Sequence, residues 1–87
     1  MRRELTITSP LGLHARPAAL FVKTASRFDC DVHVEREGLR VNGKSIMGVM
    51  MLAAEQGSVL LVEADGEDAQ ACLDALAELV DSGFETD

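Results

Sequence analysis

The 87-residue sequence contains no tryptophan and no tyrosine, and only three phenylalanines. Its core is therefore aliphatic and alanine-rich, and the aromatic platforms on which single-stranded nucleic acid stacks are missing. With 15 acidic residues against 8 basic ones and a net charge of −7, the chain is a poor fit to a polyanion, and nucleic acid is not expected as a partner. No apolar run approaches the ~18 residues that cross a bilayer, so no membrane insertion is expected. Met1-Arg2-Arg3-Glu4 leads into an alternating segment rather than the apolar core of an export signal, which predicts a cytoplasmic protein. Cysteine is sparse: Cys30 and Cys72 form neither a CxxC pair nor a disulfide framework and are expected to be reduced. Two well-separated histidines complete no zinc site, and no Gly-x-x-x-x-Gly-Lys-Ser/Thr loop occurs. Neither a metal nor a cofactor is expected.

Bases are absent from half of the chain. Residues 1–44 hold all eight bases with five acids, a net +3, whereas residues 45–87 hold ten acids and no base, a net −10. Such asymmetry predicts an oriented interaction surface, neutral to positive where the bases gather, on an acidic body.

What is present is periodicity. With 47% hydrophobic residues, the chain has material for a core, and its length predicts one domain over 1–87. Glu4-Leu5-Thr6-Ile7-Thr8 alternates as a half-buried strand. Apolar residues from Pro17 to Phe28 fall at helical spacing, with Pro17 suited to the first turn. Asp31–Glu35 alternates again and turns at Gly38 into Leu39-Arg40-Val41, as in a hairpin. Ser45–Leu52 reads as a short helix capped by Ser45, and Val59–Val62 as a buried strand. A stripe of Ala69, Cys72, Leu73, Leu76, Leu79 and Val80 marks a helix over about 67–82, closed by Gly83. The order β-α-β-β-α-β-α predicts a two-layer α+β domain, either ferredoxin-like or another open-faced sandwich.

Gly12-Leu13-His14-Ala15-Arg16-Pro17 sets an imidazole immediately before a helix start. A neutral ring nitrogen is a nucleophile at cell pH. The free amides of Ala15 and Arg16 and the positive helix end favour an anion there, and the Arg16 guanidinium can meet two phosphate oxygens at once. The alternative is a histidine that merely caps the helix or lies on the surface. No paired carboxylate stands beside His14, so it is a group acted upon by larger partners rather than the centre of a self-sufficient enzyme. His33, in an alternating strand, is assigned no role.

A second cluster centres on Gly43-Lys44-Ser45-Ile46-Met47-Gly48-Val49-Met50-Met51-Leu52. Met47 and Met50 share one helix face while Val49 and Leu52 share another. A two-layer domain buries one of these faces, so the other points outward as a flexible apolar surface suited to several partners. Ala15, Arg16, Ala19, Ile46, Met47 and Met50 then form one expected docking face, apolar at its centre and charged at its rim.

The run Gly12-Leu13-His14-Ala15-Arg16-Pro17-Ala18-Ala19, the second motif around Ser45 and the element order over essentially the whole chain resemble the HPr family, the histidine-containing phosphocarriers of the bacterial phosphotransferase system. The resemblance implies an open-faced β-sandwich with a four-stranded antiparallel sheet of order 1-4-2-3 and three helices on one side. It implies a carrier rather than an enzyme, monomeric, in which His14 accepts a phosphoryl group on Nδ1 from enzyme I and passes it to an enzyme IIA domain. By the same resemblance Arg16 stabilises the transferring charge. Lys44-Ser45-Ile46-Met47-Gly48-Val49-Met50 is similar to the site phosphorylated on serine by an HPr kinase/phosphorylase, a modification that in relatives weakens docking to enzyme I and in some recruits a transcriptional regulator. Leu11 and Gly48 depart from residues common in relatives. The tail Ser82–Asp87 is similar to the nitrogen-branch phosphocarriers (NPr), an alternative with a regulatory rather than a sugar-transport role.

Overall fold

A computed structural model describes residues 1–85. Seven elements follow in the expected order: β1 (Arg2–Thr6), α1 (Ala15–Ala25), β2 (Asp31–Arg36), β3 (Leu39–Asn42), α2 (Ile46–Met51), β4 (Val59–Asp65) and α3 (Ala69–Asp81). The strands make one antiparallel sheet of order β1-β4-β2-β3. Burial alternates along each inner strand: Val32 and Val34 on β2 and Leu60, Val62 and Ala64 on β4 are buried, while their neighbours are not. That period of two leaves one sheet face open and places the core beneath the helices. Phe21, Val49, Leu73 and Leu76 close this core from the helical side. Among the described residues no helix is long and apolar enough to cross a membrane.

Several boundaries differ from expectation, each for a reason outside local sequence. β1 starts and stops two residues early, because its ladder with β4 runs from Arg2↔Glu63 to Thr6↔Val59; Ile7, although buried, bonds instead to Ser58 and Gly57. α1 begins at Ala15 rather than Pro17. No first-turn N–H has an intrahelical partner, so Pro17 is tolerated at the third helical position, although Arg16 before it then takes helical dihedrals that a following proline disfavours. The helix also ends early, at Ala25, tapering through i→i+3 bonds from Arg27 and Phe28. β4 continues to Asp65 because it is an inner strand, bonded on both sides.

α3 begins at Ala69, and its cap residue Asp68 makes no side-chain capping bond. The Asp68 carboxylate accepts instead from the N–H groups of Asp29 (2.8 Å) and Cys30 (2.9 Å), clipping the α1–β2 connection to the start of α3. At the other end Gly83, with φ +70°, closes a Schellman motif: its N–H donates to Val80 O and that of Phe84 to Leu79 O. Thr86 and Asp87, part of the tail similar to the nitrogen branch, lie outside the described residues.

Candidate functional site

The segment before α1 is pinned by close approach. Gly12 has φ +67°, and a Cβ there would stand 2.4 Å from Ala54 O and 2.9 Å from Glu55 Cα. Only glycine fits both the conformation and the gap. Leu13 then buries its side chain and donates its N–H to Ala54 O at 2.9 Å. These two contacts fix the backbone on which His14 stands.

His14 occupies the N-cap of α1 in an extended conformation (φ −77°, ψ −172°). Its carbonyl accepts from Ala18 N–H at 2.9 Å, beginning the helical ladder. Its side chain makes no capping hydrogen bond and is exposed. A capping side chain normally satisfies an amide of the first turn; here the amides of Ala15 and Arg16 have no partner among the described residues, and Pro17 has none to offer. The first turn carries no acidic residue. Two free donors and the positive end of an 11-residue helix therefore converge where an anion on the imidazole would lie.

Of the expected site residues, Ala15 and Arg16 are exposed and Ala19 is half-buried on α1. Arg16 makes no hydrogen bond or ion pair among the described residues. Leu13, His14 and Met50 share a shallow depression of about 300 Å³ with Ala53, Ala54 and Glu55. Ile46 and Met47 stand outside its lining, at the opposite end of α2 from this depression. Residues 53–55 carry no recognisable motif, and their part in the site comes entirely from the Gly12 and Leu13 contacts. Glu55 places one acid beside the histidine, so this rim is not purely basic.

Ser45 caps α2 as expected: its Oγ accepts from Gly48 N–H at 3.1 Å. Lys44, next to it in sequence, donates from its ammonium to Phe28 O at 2.7 Å, tying the start of α2 to the turn that follows α1. The two faces of α2 separate cleanly. Val49 is buried, whereas Ile46, Met47, Met50 and Met51 are 44%, 78%, 43% and 65% exposed.

Comparison with known proteins agrees with this geometry. A family model described as the PTS HPr component phosphorylation site matches residues 1–82. Fold and site thus define a phosphocarrier of the phosphotransferase-system type. The chain belongs to the HPr family. It is 48% identical to the phosphocarrier protein HPr of Xylella fastidiosa over the whole chain and 98% of that protein. It is 46% identical to the HPr-like protein Crh of Bacillus subtilis, over 92% of this chain and 94% of Crh. The crystal structure of an HPr from Thermoanaerobacter tengcongensis superposes with a TM-score of 0.95 at 44% identity, covering 100% of this chain and 98% of that one.

Proposed function

We propose that this chain carries a phosphoryl group on His14, accepted from phosphorylated enzyme I and passed to a histidine of an enzyme IIA domain. The observation that carries the reading is the uncapped N-cap histidine: an exposed imidazole beside two unpartnered amides at a helix start. In the forward step a lone pair of the neutral ring, at Nδ1 by family resemblance, attacks phosphorus. The N–P bond to the donor histidine breaks, and that ring keeps the electron pair. Charge spreads over the three equatorial oxygens, where donors already in place stabilise it without reorganisation. Ala15 and Arg16 N–H supply fixed dipoles, and the Arg16 guanidinium supplies a charge-assisted pair. Attack by a neutral ring nitrogen needs no base, and because the donor and acceptor histidines stand on partner proteins, each transfer takes place inside a complex.

Ile46, Met47 and Met50, with Ala15 and Ala19, form the docking face in this reading. Ser45 is the regulatory position: a phosphate there adds roughly two negative charges at the N-terminus of α2, tolerated by that helix end but adjacent to the docking surface. An HPr kinase/phosphorylase would add it, and a transcriptional regulator would be its reader.

Transfer onward is the step to measure. The chain, phosphorylated by phosphoenolpyruvate and enzyme I and freed of both, should lose its phosphate to an added enzyme IIA domain within seconds to minutes. Retention of phosphate in the presence of every IIA class would overturn the carrier reading. Rates with sugar-branch and nitrogen-branch enzyme I separate the two circuits, and the Ser45 motif favours the first.

A further inference from the structure

Cys30 and Cys72 are 42 positions apart in sequence, yet both are buried in the core. The fold brings them to one residue: Asp68 accepts from Cys30 N–H through Oδ1 at 2.9 Å, and its carbonyl accepts from Cys72 N–H at 3.0 Å. The two buried thiols are near enough to act on each other, and the charges of Asp68 and Lys44 act on both. Cys30, 2% exposed, lies in the lining of a depression of about 320 Å³ together with Asp29, Gly66, Glu67 and Asp68. Gly66 crosses so close that a Cβ there would lie 2.8 Å from Cys30 Cα.

We propose that Cys30 and Cys72 form a latent dithiol that closes to an intramolecular disulfide when hydrogen peroxide reaches Cys30, stapling the start of β2 to α3. The Cys30 thiolate attacks the peroxide; the S–O bond forms as the O–O bond breaks, and the departing hydroxide takes a proton to become water. The sulfur is thereby oxidised to a sulfenic acid. Cys72 then attacks that sulfur, the S–S bond forms, and the oxygen leaves as a second water. Two thiols and one peroxide yield one disulfide and two waters.

Burial pushes the Cys30 thiol up and, with the neighbouring Cys30 sulfur, takes Cys72 to about 12. Thiolate is therefore scarce near neutral pH, and the pair reacts slowly, unlike an exposed sensor cysteine. Release of the Asp68 clip opens the loop over Cys30 and removes a negative charge from beside both sulfurs. The cross-link sits apart from the depression at His14 and constrains the unfolded chain, so its effect is on stability.

The test treats the full chain with hydrogen peroxide at neutral and alkaline pH, followed by intact mass and peptide mapping without reductant. The expected product is a monomer lighter by two hydrogens, with the Cys30 and Cys72 peptides joined. Its Tm should rise by about 10 °C and return with dithiothreitol, and Asp68→Asn should oxidise several-fold faster than the unsubstituted chain. Thiols that remain free, cross-links between chains, or over-oxidation of Cys30 without a bridge would each overturn the proposal, and so would an Asp68→Asn variant that oxidises no faster.

Discussion

At the scale of single residues, the proposed phosphoryl chemistry depends on what His14 leaves undone. An N-cap that used its side chain on the helix would consume the donors an anion needs; His14 leaves Ala15 and Arg16 N–H free. Arg16→Ala keeps these amides and removes the guanidinium, so phosphoryl transfer should slow by about 10–100-fold while folding is unchanged, as stopped-flow assay and circular dichroism would show. Gly12 serves geometry rather than chemistry. Gly12→Ala combines a left-handed backbone with a Cβ 2.4 Å from Ala54 O, a cost of about 2–4 kcal/mol in urea denaturation. The place of His14 at a helix start was readable from sequence, because a histidine, an arginine and a proline together mark such a boundary. Ala53, Ala54 and Glu55 were not, since nothing local says which turn will meet Gly12.

At the scale of elements, capping decides where helices begin and what their ends do. Ser45 Oγ satisfies Gly48 N–H, so Ser45→Ala should lower stability by about 1 kcal/mol in urea titration, with phosphorylation of His14 intact. Asp68 behaves differently from a cap. The Asp29 N–H, followed by that of Cys30, holds its carboxyl below the usual carboxylate range. A group whose folded pKa is depressed contributes stability above its unfolded value, ~3.9, and loses it as pH falls through the lower folded value. Urea midpoints should therefore show Asp68→Asn less stable than the unsubstituted chain at neutral pH, with the gap closing below about pH 4. The alternating strands and the stripe of α3 were legible because each element buries one face and shows the other. Helix and strand ends were less so: β1 is trimmed by its register with β4, α1 opens two residues before the proline that suggested its start, and Asp68 answers amides nearly forty positions away.

At the scale of the whole molecule, charge is arranged less simply than its sequence split suggests. The basic half does not simply gather at His14: Arg2 and Arg40 pair with Glu63, Arg3 with Asp74, and Arg36 with Glu37. These partly exposed pairs each contribute little to stability, but they commit four of the eight bases to acids elsewhere on the domain. Arg16, near His14 in sequence, makes no ion pair among the described residues, while the depression that His14 lines includes Glu55. In the proposed carrier, docking accordingly relies on the apolar side of α2 more than on a field. Met47 is 78% exposed, so Met47→Ala should change stability by no more than about 0.5 kcal/mol while slowing phosphoryl transfer from enzyme I about five- to tenfold. Equal losses of stability and transfer would mean that Met47 supports the fold rather than the encounter.

The most direct measurement is intact mass spectrometry of the chain mixed with phosphoenolpyruvate and a trace of enzyme I, with fragmentation to locate the adduct. The account predicts one phosphate, labile in acid and stable in base, on His14, and none on His14→Ala. An unmodified chain, or a phosphate that persists in His14→Ala, would contradict it.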